Sequence, residues 1–383
     1  MKDAYNRSFK SSSKLQFHKS IWILFIFLIV IVMIIPSIIV FGAGANFVHM
    51  NGFLPASSVS NHNQNQIGLA SPQKSPLEIG WVEGSGTIMQ HLTDYNNLKV
   101  VSPALASVDN RYNLQENSNP TLINTIHQQG KKIWARIIMQ TDTKSNDHAF
   151  LANPTKTQAV INKILQSVKA ENWDGVNLDI ENVSIQDRNT FSQFVKNLSS
   201  GLNKSTAILS IDLPPDPSVG NNNQASFDHE LLGKYCNYVF FMGYDQHWST
   251  DSVPRPITSL SWLKENLQEF IKTGIPSEKL ILGLPAYTRV WEQNQQNHVV
   301  KDPAEPIQSV ENLVAENHRN MTWDSTLGEF YTTYTSQNLQ YKIWLPTEKS
   351  FNLYLNLIPQ FHLAGSAVWN LDQMNSAYWN KIF

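Results

Sequence analysis

The chain of 383 residues contains one cysteine, Cys236. A single thiol excludes an intrachain disulfide and any cysteine-rich metal site. Set in Tyr-Cys-Asn-Tyr-Val-Phe-Phe, at the entry to an apolar run, it reads as a packed core thiol and not a nucleophile. Neither sign of charge predominates: 29 basic side chains face 31 acidic ones, for a formal net charge of -2. That balance gives no basis for a nucleic-acid partner. Internal repeats, metal-ligand spacings and a phosphate-cradling glycine loop are all missing, so no cofactor is expected. Long hydrophobic runs are scarce too, and the one that stands out lies at 21–41.

That run begins at Ile21 and follows a basic, polar stretch at 1–20 that carries Lys2, Arg7, Lys10, Lys14 and Lys19 against Asp3. It is long enough for a bilayer core, which takes about 20 residues. The basic flank places the N-terminus in the cytoplasm and everything downstream outside. Residues 21–43 are therefore expected to be a transmembrane anchor that tethers an exported protein to the cell membrane. The competing reading is a signal segment cleaved near Ala43-Gly44-Ala45, which would leave a secreted protein. Residues 46–76 are rich in Asn, Ser, Gln, Gly and Pro without sustained periodicity, and read as a flexible linker.

From Leu77 onward, short apolar runs alternate with segments of helical spacing. Strands are expected at 77–82, 99–108, 131–139, 173–181, 207–213, 238–244, 279–287 and 364–371. Helices are expected at 121–129, 154–171, 186–202, 260–273 and 351–362. In the second of these helices Val160, Ile161, Ile164, Leu165 and Val168 form the apolar stripe, and Thr155 is a candidate cap. Eight strands separated mostly by helices predict an α/β fold, a (β/α)₈ TIM barrel over 77–383. The excess length at about 292–345, with its Thr-, Tyr- and Trp-rich segment Met321–Trp344, is expected to form a small α+β insertion between strands 7 and 8. An open doubly wound sheet is the alternative architecture.

The fourth strand carries the strongest chemical signal. In Trp173–Glu181, Val176, Leu178 and Ile180 alternate with Asn177, Asp179 and Glu181. A period of two puts the three polar residues on one face. In a barrel that face looks inward, and working groups gather at the C-terminal ends of the strands. Other strand ends supply Met242, Tyr244, Asp245 and His247 on strand 6, Tyr287, Arg289 and Trp291 on strand 7, and Trp369 on strand 8. Trp81 closes strand 1. Acids and aromatics at these ends, in a chain with eleven tryptophans, suit a cleft in which sugar faces stack on rings. Asp174 has the parity of the outer face and is expected to play a structural hydrogen-bonding role. Arg289 is as compatible with a simple ion pair, and Trp291 with packing on the insertion. His247 reads as a loop residue.

Asp174-Gly-Val-Asn177-Leu-Asp179-Ile-Glu181 resembles the Asp-x-x-Asp-x-Asp-x-Glu signature of glycoside hydrolase family 18, the chitinase-like family. Met242-x-Tyr244-Asp245, Gly283-Leu-Pro-Ala-Tyr287-x-Arg289-x-Trp291 and Trp369 are similar to further family motifs in place and type. Val101-Ser-Pro103 and the seventh-strand motif lean toward the bacterial branch of spore-cortex and cell-wall N-acetylglucosaminidases. The LysM-type wall-binding repeats that many members of that branch carry are missing here. The resemblance implies retaining, substrate-assisted hydrolysis of β-1,4-linked N-acetylglucosamine glycans, peptidoglycan or chitin. It implies Glu181 as general acid, in a semi-buried site that raises its pKa, and Asp179 as stabiliser of the substrate's 2-acetamido group. Tyr244 would hydrogen-bond the acetamido oxygen, Asp245 would bind substrate, and Trp369 would floor the cleavage point. The family's middle acid is Asn177 here. Asp179 is therefore expected to lose a like-charge neighbour and to receive the Asn177 amide instead. A catalytically silent glycan-binding protein of the same fold is the alternative in a different functional class.

Overall fold

In the computed structural model the described residues are 75–83, 88–117, 120–140, 143–215, 226–249 and 251–383. The basic N-terminus, the apolar segment at 21–43 and nearly all of the linker at 46–76 lie outside them. Among the described residues no helix is long and apolar enough to cross a membrane.

Eight parallel strands form the centre of the described part: β1 Leu77–Val82, β2 Leu98–Val108, β3 Lys132–Met139, β4 Gly175–Asp179, β5 Ile208–Leu213, β6 Tyr238–Met242, β7 Leu280–Pro285 and β8 Gly365–Trp369. Each pairs in parallel with the next, and β1 pairs with both β2 and β8, which closes the sheet into a barrel. The open-sheet alternative is thereby excluded. A short antiparallel strand, Leu114–Glu116, extends β2. The expected strands are all present, with ends shifted by a few residues. The seventh is divided: β7 stops at Pro285, and Tyr287–Gln293 turns away into a second sheet.

Two apolar layers hold the barrel. The outer one sits between the sheet and the helices and includes Val176 and Leu178 of β4 with Ile161, Ile164, Phe194 and Val195 of the flanking helices. The inner one fills the lumen with Ile79, Trp81, Val100, Trp134, Phe240, Met242, Tyr244, Ile281 and Ala367. The period of two in each strand separates these layers. Gly283 on β7 makes room for the largest lumen side chain, because a Cβ there would meet the Trp81 ring at 3.3 Å and the Phe241 carbonyl at 2.9 Å.

The helix Pro154–Ala170 is capped by Asn153, whose side chain accepts from Lys156 N at 3.1 Å, and not by Thr155. Pro154 occupies the first helical position, which leaves Thr155 already inside the helix. The expected helix at 351–362 is two helices, Glu348–Leu355 and Leu357–Phe361. Pro359 explains the break: it lacks the N–H for the preceding turn and its ring crowds the Leu355 carbonyl. The insertion is α+β as expected, with strands at Thr322–Asp324, Glu329–Ser336 and Leu339–Leu345 extending Tyr287–Gln293, and a helix at Ile307–Glu316.

Glu78, near the start of β1, is partly buried against the Ser366 hydroxyl of β8. Burial pushes its carboxyl from 4.5 up to about 7, outweighing the opposing effect of Ser366. The folded state therefore binds the extra proton between these two pH values. Stability is expected to fall as pH rises from about 4.5 to about 7 and to be flat in this respect above that. Glu78→Gln should remove about 3 kcal/mol of that decline in urea unfolding on either side of the window. An equal slope in the variant would contradict this.

Candidate active site

The lumen carries a polar seam across β3, β4 and β5. Arg136, Asn177 and Ser210 are register partners on those three strands, so they share the inner face. Asp179 and Asp212 stand two residues further along β4 and β5 and share it too. Asn177 is completely enclosed. Its Oδ1 accepts from Trp81 Nε1 at 3.1 Å and from Ser102 Oγ at 3.0 Å. Its Nδ2 donates to Ser210 Oγ at 3.2 Å and to Asp212 Oδ1 at 2.7 Å. The expected Asn177–Asp179 hydrogen bond is thus replaced by one to Asp212. Trp81 Nε1 can only donate, so it claims the amide oxygen and turns the nitrogen toward β5.

Asp179 instead meets Arg136, whose Nη1 donates to Asp179 Oδ2 at 2.7 Å. The guanidinium is 2% exposed, also contacts Glu83, and lies 4.7 Å from the centre of the Trp369 ring. Three carboxylates, Asp179, Glu83 and Asp212, raise its pKa against the cost of burial. Nor does Asp179 lack a second acid beside it. Burial first, then the Asp179 charge, push the Asp212 carboxyl well above the usual carboxylate range. The expectation that Asn177 leaves Asp179 without a second acid is overturned by Asp212.

Around this seam stand aromatic rings. Tyr244 and Trp369 are stacked at 6.3 Å, and Trp81 meets both edge-on at 6.4 and 5.7 Å. Tyr287 Oη donates to Asp245 Oδ1 at 2.6 Å. Asp245 follows β6 with a φ of 54°, the left-handed region a non-glycine residue seldom adopts, and such positions cluster where a chain must aim a side chain. Desolvation, with the nearby acids, pushes the Tyr244 and Tyr287 hydroxyls well above 10, so both are fixed as donors. Burial likewise raises the Asp245 carboxyl. Glu181 lies exposed just beyond β4, not semi-buried as expected, and its charge is felt at both tyrosines.

The structure thus brings together Asn177, Asp179, Glu181, Tyr244, Asp245, Tyr287 and Trp369. It sets others apart. Trp81, expected to touch substrate, is 0% exposed and packs beneath Trp369. Met242 is buried in the same lumen cluster. Arg289 turns to the insertion, where its Nη1 donates to the Asp302 carbonyl at 2.7 Å. Trp291 is buried and donates to the Arg255 carbonyl at 2.9 Å. His247 does have a partner, Asp251, at 2.7 Å. Asp174 is structural, as expected: it accepts from Lys132, from the Ile133 backbone N–H and from His127. The sequence reading missed Arg136 and Asp212. Both were visible as charges within mainly apolar strands: Arg136 is the one charge after Lys132 in Lys132–Met139, and Asp212 is the one charge of Ile208–Leu213.

A closed parallel barrel whose C-terminal mouth gathers acids, tyrosines and a tryptophan is the frame of a glycosidase. The pattern of the glycosyl hydrolases family 18 matches residues 81–373, and the chain belongs to that family. Among its relatives is the uncharacterized glycosylase YvbX of Bacillus subtilis (strain 168), 26% identical over 265 residues, which are 66% of this chain and 74% of that protein. The cortical fragment-lytic enzyme of Bacillus cereus is 26% identical over 286 residues, 70% of this chain and 64% of its own. In fold, the chain is similar to the Bacillus cereus spore cortex-lytic enzyme SleL, with a TM-score of 0.71 at 19% identity over 80% of this chain and 73% of that one. It is equally similar to a chitinase from Chromobacterium violaceum, with a TM-score of 0.71 at 16% identity over 80% and 98%.

Removing Arg136 while leaving Asp179 strands a buried charge. Arg136→Leu is expected to cost about 3–5 kcal/mol in urea unfolding at neutral pH. A loss below about 1 kcal/mol, the range of an exposed pair, would show that the lumen does not depend on this guanidinium.

Proposed function

We propose that the chain is an exported glycosidase that cleaves β-1,4 linkages in N-acetylglucosamine-containing glycans, with peptidoglycan favoured over chitin. The observation that carries the reading is that Glu181 and Asp179 both act on Tyr244, whose ring is stacked on Trp369. The names of the curated relatives, which include cortical fragment-lytic enzymes, support the peptidoglycan preference. The apolar segment at 21–43 supports export, with the chain held at the membrane.

The chemistry follows from the placement of each group. A sugar lies on Trp369, the partly exposed ring at the floor of the mouth. Glu181 gives its proton to the glycosidic oxygen as the bond from that oxygen to the anomeric carbon breaks. The sugar's own acetamido oxygen closes on the anomeric carbon from the opposite face, forming a cyclic oxazolinium cation. Tyr244, fixed as a donor, holds that oxygen in place, which is catalysis by proximity. Asp179, kept beside Arg136, presents negative charge to the acetamido N–H and the cation. Glu181 then takes a proton from water as the water opens the ring, and the anomeric configuration is retained. Asp245, clamped by Tyr287, offers a further carboxyl to the sugar hydroxyls.

The test uses the full chain on a chromogenic N-acetylglucosamine oligomer and on purified sacculi. The unmutated protein is expected to turn over the oligomer and to release muropeptides with new reducing N-acetylglucosamine ends. Glu181→Gln should lower kcat by roughly 10²–10⁴-fold. Binding without turnover by the unmutated protein would overturn the enzymatic reading in favour of glycan binding.

A further inference from the structure

Asp212 takes no part in the chemistry proposed above, yet it lies at its centre. It is 1% exposed on β5, inside the barrel. Asn177 Nδ2 reaches its Oδ1 at 2.7 Å, in an orientation imposed by Trp81 on the other end of the same amide. The Asn177 amide is spent on Trp81, Ser102, Ser210 and Asp212, and so does not serve Asp179. Asp179 has one oxygen on Arg136, but its Oδ1 is buried and accepts no hydrogen bond among the described residues. An acceptor left so costs free energy, more so when it carries charge.

The groups that face Asp212 leave it one way to help. Asp179 stands on β4 and Arg136 on β3, with Tyr244 following β6, and Glu83 and Glu181 act on Arg136 and Tyr244 in turn. The single guanidinium is already committed to Asp179 and Glu83. Two carboxylates in one enclosed space do not both ionise. The one without its own cation keeps the proton, and burial and the Asp179 charge both push Asp212 in that direction. A protonated carboxyl is a donor as well as an acceptor. It matches the oxygen on Asp179 that has no donor.

We propose that Asp212 is the proton-holding partner of Asp179, so that β5 supplies the third carboxylate that Asn177 withholds on β4. The inference rests on the assignment of Asp179 and Glu181 to glycoside cleavage. Asp212 is a positioning residue: it touches no substrate and acts through Asp179. In the resting site the Asp212 hydroxyl shares its proton with Asp179 Oδ1. When the oxazolinium cation forms, the proton rests on Asp212 and the full negative charge on Asp179. No proton is gained or lost in the exchange. Ionisation of Asp212 at high pH sets a second charge beside Asp179 and removes the donor, and so adds to the loss of the Glu181 proton in ending activity on the basic side.

The experiment measures kcat and kcat/KM against pH for the full chain on a chromogenic N-acetylglucosamine oligomer. Asp212→Asn, which donates at every pH, is expected to shift the basic limb upward by about one pH unit with little change in KM. The exchange variant, Asn177→Asp with Asp212→Asn, puts a titrating carboxyl back into the pair and should return the limb toward its original place. A purely structural role for Asp212 would lower stability or kcat without moving the limb. A folded Asp212→Asn protein with an unmoved basic limb overturns the proposal. Should Asp212→Asn not fold, the exchange variant decides alone: folded and active supports the proposal, and folded but inactive overturns it. Failure of the unmutated chain to cleave the oligomer would count against the glycosidase reading itself, and is thereby distinguishable.

Discussion

The lumen depends on a guanidinium that is almost wholly withdrawn from solvent. Arg136 is held by Asp179 and Glu83 and lies over the Trp369 ring. Withdrawing such a charge from water costs several kcal/mol, which only close, well-oriented partners offset. The carboxylate of Asp179 is subject to the same constraint. Once these two are inside, everything nearby must fit them: the amide of Asn177 is turned by Trp81, Asp212 is pressed toward its neutral form, and Trp369 is pinned between a cation and two other rings. Substitution of one member therefore changes the electrostatics of the rest.

Much of the fold was legible in the sequence because barrel strands obey a period of two and their helices a period near 3.6. The residues of β4 were readable one by one, since Val176 and Leu178 belong to the outer layer while Asn177 and Asp179 belong to the lumen. Glu181, Tyr244, Asp245 and Trp369 followed from their positions at strand ends. What was not legible depends on distances between strands. Asn177 read as a neighbour of Asp179 because they are two apart in sequence, but its amide reaches Asp212 on the adjacent strand instead. Trp81 read as a cleft residue because it ends a strand, yet that strand carries its indole under the floor. Short helices such as Lys144–Leu151 and His229–Tyr235 escaped notice because two turns give little periodicity; their caps, Thr143 and Asp228, are clearer than their stripes.

The family assignment spans the barrel and the insertion together, since the matched region runs from 81 to 373. The similarity in fold to both a spore cortex-lytic enzyme and a chitinase shows that the barrel alone does not choose between a wall glycan and a chitin chain. The lumen of this chain holds an amide, Asn177, on β4 and a buried acid, Asp212, on the next strand.

β1 also has a mechanical meaning. It is the first described strand, and it is hydrogen-bonded along its length to both β2 and β8. Tension applied at Leu77 along the strand would be borne by both neighbours. It would load two ladders in shear, so that many bonds resist together instead of opening one at a time. The same strand carries Trp81 one residue before its end, and the Trp81 indole holds the amide of Asn177. Load carried along β1 would thus reach the residue that orients Asn177.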